Sequence, residues 1–172
     1  RTRPTDFLPL FDRPDTMLRS ALTYPAIFIL WLLHFLPLPM LAAVGRGFGR
    51  LLYVVGKQRR RVVTINLEWC FPDLSPAERK QLAIEHFQAL GRSLLERGLL
   101  WWSSKERLDR LIRVEGADKI RSLLDAGTPV MLLAPHFLAL DAGGVGIAMR
   151  FDSVSIYAAQ TNPLIDKLLL RG

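Results

Sequence analysis

Hydrophobic positions follow three different rhythms along the chain. Residues 20–45 form a run of 26 without Asp, Glu, Lys or Arg. At about 1.5 Å per residue, a helix of that length can cross a hydrocarbon core of about 30 Å. Tyr24, Trp31 and several Phe suit an interface. Pro25 falls in the first turns and is tolerated, but Pro37 and Pro39 predict a break or kink. The second rhythm is helical and begins with a start signal. Ser75 is the expected N-cap, Pro76 the first helical residue, and Glu78 the partner that closes a capping box. Ile84, Phe87, Leu90, Leu94 and Leu95 then recur on one side towards Trp101 and Trp102, with interruptions at Gly91 and Gly98. The third rhythm alternates. Strands are expected at 111–114, 130–133 and 154–158, and helices at 116–127 (with Gly127 as C-cap), 138–149 and 164–170. That order predicts an α/β fold: an N-terminal membrane-anchor helix, then a largely parallel sheet with flanking helices.

Before the apolar run, residues 1–16 carry Pro4, Pro9 and Pro14 with balanced charges and no periodic pattern, and read as a disordered lead. Met17 has the setting of an initiator. Residues 17–45 are then a membrane anchor or interfacial helix, with a buried helix and a cleaved signal as the competing readings. Residues 46–172 form the remaining domain.

Composition sharpens this picture at three points. Half of the 172 residues are hydrophobic and mean hydropathy is +0.20, an excess concentrated near the N-terminus. The net charge of +7 favours anionic partners: phospholipid headgroups, phosphorylated glycolipids, nucleic acid or an acidic carrier protein. Arg46, Arg50, Lys57, Arg59, Arg60 and Arg61 follow the apolar run with no acid until Glu68, whereas only Arg19 precedes it after Met17. The positive-inside rule therefore puts the body of the protein on the cytoplasmic side. Residues 57–61 read equally well as a solvated helix face or a headgroup-binding patch. No aromatic-interleaved or helix-turn-helix pattern accompanies them, so no nucleic-acid partner is expected. One cysteine, Cys70, excludes a disulfide framework. Three dispersed histidines (His34, His86, His136) do not make a zinc cluster, and no metal is expected.

Candidate chemistry concentrates at residues 129–144. An apolar run ends at Pro135, His136 follows, and Asp141 precedes Gly143 and Gly144. Pro135 disfavours a helical Ala134 and fixes a break there. Positions i and i+5 of a helix lie about 140° apart. His136 and Asp141 can therefore meet only if His136 is in the turn and Asp141 lies inside the following helix. So arranged, the carboxylate would fix the imidazole tautomer and leave the other nitrogen free as a base. There is no Gly-x-Ser-x-Gly elbow, which moves the nucleophile onto the substrate. Gly143, Gly144 and Gly146 allow close approach by substrate or by a neighbouring strand, but fit no dinucleotide fingerprint. From spacing alone, a loop histidine beside a surface acid is the favoured explanation, because a His-x-x-x-x-Asp pair occurs often by chance.

The block Ala134-Pro-His136-Phe-Leu-Ala-Leu-Asp141 resembles the His-x-x-x-x-Asp/Glu motif of glycerolipid acyltransferases. With Asn66-Leu67, Cys70-Phe71-Pro72, Glu78-Arg79, Val114-Glu115-Gly116, Tyr157 and Asn162-Pro163-Leu164, the chain is similar to the late lipid A acyltransferase family from about residue 17 to its end. The resemblance implies transfer of a fatty acyl chain from acyl carrier protein to a hydroxyl of a lipid A precursor, at the bacterial inner membrane. It implies His136 as general base, Asp141 as its orienting partner, and Tyr157, Asn162 and Arg171 as substrate-binding residues. No cofactor is implied, because a thioester is already an activated donor; acyl carrier protein is a co-substrate, and inner-membrane phospholipids are partners. Family members are longer and continue with an arginine-containing block beyond Arg171, so residues 46–172 resemble the N-terminal part of the acyltransferase domain. Two other readings stay open: an acyl-CoA-dependent lysophospholipid or glycolipid acyltransferase, and a non-catalytic membrane-peripheral binding module.

Overall fold

The computed structural model of the chain describes residues 15–156 and 158–171. Within them are eight helices: α1 (Asp15–Leu33), α2 (Leu38–Val55), α3 (Lys57–Cys70), α4 (Pro76–Trp102), α5 (Lys105–Leu111), α6 (Ala117–Asp125), α7 (Leu140–Ala148) and α8 (Pro163–Arg171). The disordered lead expected at 1–16 falls almost wholly outside the described residues.

α4 is the spine, and its start forms as its sequence requires. The Glu78 N–H donates to Ser75 Oγ at 3.3 Å, and the Ser75 N–H donates to Glu78 Oε2 at 2.7 Å. Two otherwise unpaired donors are thereby satisfied. The same bonds hold the Glu78 carboxyl below its ordinary pKa, the Ser75 side chain being the larger cause and its backbone the next. The helix then runs 27 residues through Gly91 and Gly98 without breaking.

Those glycines are where other backbones come closest. α2 packs antiparallel along α4, with Gly45 against Arg92 and Gly49 against Phe87 and Gln88. A Cβ at Gly49 would lie 2.1 Å from the Phe87 carbonyl oxygen, and one at Gly91 would lie 2.4 Å from the Gly49 nitrogen. Leu41, Ala42, Ala83, Phe87 and Leu99 form the buried core beside these contacts. A Cβ at Gly98 would sit 2.5 Å from the Leu30 carbonyl, so α4 admits the end of α1 in the same way.

Pro37 and Pro39 separate α1 from α2: α1 stops at Leu33 and α2 begins at Leu38 with a proline in its first turn. The Arg107 guanidinium closes this corner, donating to the carbonyls of His34 (2.6 Å) and Leu36 (2.8 Å). Cations at a helix C-terminus also answer the helix dipole. His34 is buried here among Trp31, Phe35 and Trp102. α2 continues past the end of the apolar run, through Arg46 and Arg50 to Val55. Arg60 caps it by donating to the Tyr53 carbonyl at 2.8 Å, with its guanidinium 5.2 Å from the centre of the Tyr53 ring.

The expected α/β fold is not found. Among the described residues there is no β-strand, and the segments read as strands at 111–114, 130–133 and 154–158 form no ladder. Leu111 ends α5, and Ile112 is extended (φ −109°, ψ 108°) but unpaired as a strand. Met131, Leu133, Val154 and Ile156 are almost fully exposed. Apolar, β-branched runs report a preference for extended backbone; a sheet also needs a neighbour for each strand, and pairing is a non-local condition. The helices between these segments do form. α6 stops at Asp125 with Ala126 as its C-cap, and Gly127 just beyond takes a left-handed φ of +73° that suits glycine; the N–H groups of Gly127 and Thr128 bond back to Leu124 and Leu123.

Candidate active site

His136 lies in the non-helical stretch before α7, and Asp141 lies in the first turn of α7. The turn is tight: the Phe137 N–H donates to the Pro135 carbonyl at 2.8 Å, and the Leu140 N–H to the Phe137 carbonyl at 3.1 Å. His136 is exposed. Asp141 sits where the helix dipole favours a carboxylate.

The two side chains are not joined. Among the described residues no hydrogen bond or ion pair connects His136 to Asp141; the carboxylate instead meets Arg97 of α4, with Oδ2 2.7 Å from Nη2. One turn earlier on α4, Ser93 Oγ donates to the Leu138 carbonyl at 2.7 Å. Ser93 and Arg97 are four residues apart and share a face of α4. Together they fasten the segment that follows His136 to α4 at two points. Sequence reading missed both residues. The signal was only a pair of polar positions at helical spacing, and which segment they would meet depends on tertiary packing.

Beside the clamp lies a cleft of about 590 Å³ between α4, α5 and α7. Its walls combine Leu99, Leu100, Leu108 and Leu138 with Arg92, Arg97, Arg113 and Asp141; His136 is not part of the lining. The Arg97 Nε is buried without a hydrogen-bond partner. Cationic groups on an apolar floor can take an amphiphile with an anionic head.

The glycines after Asp141 divide in role. A Cβ at Gly146 would meet Ile112 and Val114 side chains at 2.8 and 3.1 Å, so this is where the neighbouring segment closes on α7. Gly143 and Gly144 have open space. Arg150, just past α7, holds the same junction by bonding Asp109 (2.6 Å), the Ile112 carbonyl (3.2 Å) and the Gly146 carbonyl (3.0 Å).

Of the three remaining candidate residues, Asn162 is the one whose side chain is described, and no hydrogen bond or ion pair joins it to His136. Asn162 caps α8: Oδ1 accepts from the N–H groups of Leu164 (3.0 Å) and Ile165 (3.3 Å), while Nδ2 donates to Thr23 Oγ1 at 2.9 Å. Its side chain thus ties α8 to α1. Arg171 is the last residue of α8, and Tyr157 lies outside the described residues. Among the described residues no group of three His, Cys, Asp or Glu side chains is arranged to hold a metal ion.

The fold thus brings to this region a turn-borne histidine, an acid at the start of the following helix and an amphiphilic cleft along α4. Residues 8–172 match the family of bacterial lipid A biosynthesis acyltransferases. The chain belongs to that family. It is 34% identical to the lipid A biosynthesis lauroyltransferase of Escherichia coli K12, over 96% of this chain and 54% of the relative. It is 31% identical to the palmitoleoyltransferase of the same organism, over 94% and 53%, and 30% identical to its myristoyltransferase, over 74% and 39%. The chain thus spans about half the length of the first two of these relatives. No solved structure matches it.

Proposed function

We propose that the protein carries the catalytic dyad of an acyltransferase that moves a fatty acyl chain from acyl carrier protein to a hydroxyl of a lipid A precursor, on the cytoplasmic side of the inner membrane. The observation that carries this reading is the family match across a chain whose His136 and Asp141 flank the start of α7. His136 takes the proton of the acceptor hydroxyl as that oxygen attacks the thioester carbonyl. The tetrahedral intermediate then expels the carrier thiolate, which recovers a proton, leaving an ester and a free thiol. The acceptor supplies the nucleophile, so no serine or cysteine of the chain is required. Asp141, at a helix N-terminus and paired with Arg97, is an electrostatic support for the imidazolium that forms. Arg92 and Arg113 in the adjoining cleft suit the phosphates of the acceptor.

A donor comparison tests the reading. Membranes carrying the full-length protein are given labelled acyl carrier protein or labelled acyl-CoA with a lipid A precursor. Transfer from the carrier, several times faster than from CoA, is the expected result. Preference for CoA with a lysophospholipid acceptor would replace this reading with the related glycerolipid activity, and no transfer from either donor would contradict it.

A further inference from the structure

α2 is the one helix among the described residues long and apolar enough to cross a membrane. Its packing argues against crossing. Gly45, near the middle of α2, lies against Arg92 of α4, where an added Cβ would come within 2.6 Å of the Arg92 Cα. Arg92 in turn pairs with Glu96 at 2.6 Å. If α2 spanned the bilayer, its tightly packed partner would carry these charges close to the midplane. A charge at that depth is costly to insert.

The three faces of α2 offer a different solution. Leu41, Ala42, Gly45 and Gly49 are buried against α4. Met40, Val44, Phe48, Leu51, Val54 and Val55 are exposed, and at about 100° per residue they fall within one outward sector of about 120°. Arg46 and Arg50 occupy the sector between this apolar stripe and the buried face, also exposed. Lys57, Arg59 and Arg61 continue the exposed positive charge just past the C-terminus of α2, whereas Arg60 is engaged in capping it.

We propose that α2 lies flat in the interface of an anionic phospholipid bilayer. Its apolar stripe enters the headgroup–acyl boundary, its arginine flank meets lipid phosphates, and α4 stays on the aqueous side. This deepens the membrane reading given above and rests on it. An apolar stripe beside a cationic flank matches a bilayer surface in both chemistry and charge sign. The α4 clamp on the His136 turn would then sit directly above the lipid surface.

The test uses full-length protein with every native cysteine, Cys70 among them, replaced by serine and, singly, Met40→Cys, Val44→Cys or Val55→Cys, each labelled with a fluorophore. Quenching by lipids brominated at different acyl depths is measured in vesicles of phosphatidylethanolamine and phosphatidylglycerol. A flat α2 gives the same shallow depth, about 5–10 Å, at all three positions. A deep Val44 between shallow ends would mean that α2 spans, overturning this proposal while sparing the membrane reading. Absence of quenching with protein still bound to vesicles would mean attachment elsewhere, with the same consequence. Failure to bind vesicles would overturn both. Arg46→Glu with Arg50→Glu should reduce quenching severalfold, and unchanged quenching would overturn the assignment of an anionic surface.

Discussion

The α2–α4 pair and the stretch from residue 111 to the start of α8 solve the same problem, burying apolar residues without stranding backbone polar groups, with unequal completeness. In the pair, each helix satisfies its own backbone internally, and glycines at 45, 49 and 91 let the two axes approach until main-chain atoms touch. In the later stretch, short helices are joined by extended segments with no ladder, and large side chains such as Leu133 and Ile156 remain in solvent. Polar contacts to α4 help to attach it, among them Ser93 to Leu138 and Arg97 to Asp141. The first region is held by close packing and resists any added atom. The second has room, and the candidate chemistry lies in it. Loops on a rigid scaffold are where binding and catalytic groups concentrate.

The contrast can be broken most severely at Gly49. Gly49→Val puts a branched side chain where a Cβ already meets the Phe87 carbonyl at 2.1 Å. It should destabilise by about 3 kcal/mol or more, seen as a large fall in the denaturation midpoint. An unchanged midpoint would mean that α2 and α4 do not pack this closely. Next comes the clamp. Ser93→Ala removes a hydrogen bond worth about 1 kcal/mol, and Arg97→Ala a half-exposed ion pair worth about 1 kcal/mol at most. The two changes together should release amide exchange at residues 138–142 while leaving α4 protected. Uniform loss of protection would place the clamp in the global core instead. At the open end of the scale, Gly143→Ala meets nothing within 4 Å and lies inside α7. It should stabilise by about 0.5–1 kcal/mol by thermal melt, the opposite sign from Gly49.

The smallest effect is set by pH at the start of α4. Glu78 has a lowered folded pKa, so its contribution is fully present above the unfolded value and is lost as pH falls through the lowered folded value. Exchange protection at Glu78 and Arg79 should drop across that acidic window. Glu78→Gln should flatten the dependence, and a dependence unaltered by the substitution would assign it to another group.

The same contrast explains how far the sequence can be read. The capping box at Ser75, the break at Pro37 and Pro39 and the glycine ends of α6 are local events, each decided within a few residues, and each was legible. The position of His136 before a helix and Asp141 inside it followed from spacing and from Pro135 in the same way. The extension of α2 was hidden because its charged flank resembles the end of an apolar run; only packing against α4 shows it to be one face. The parallel sheet was a non-local inference drawn from local apolar runs, and it failed where partners were required. Arg97 as the companion of Asp141 was invisible for a related reason: 44 positions along the chain separate residues that sit 2.7 Å apart.

His136, the proposed general base, is exposed and makes no side-chain bond that holds the fold together. Acyl transfer from labelled acyl carrier protein should therefore be measured for full-length protein with His136→Ala, beside its thermal melt. Loss of a general base predicts a fall in rate of about 10²–10⁴ with an unchanged melting temperature. Transfer within a few-fold of the unsubstituted protein, or a loss that merely tracks unfolding, would contradict the role given to this residue.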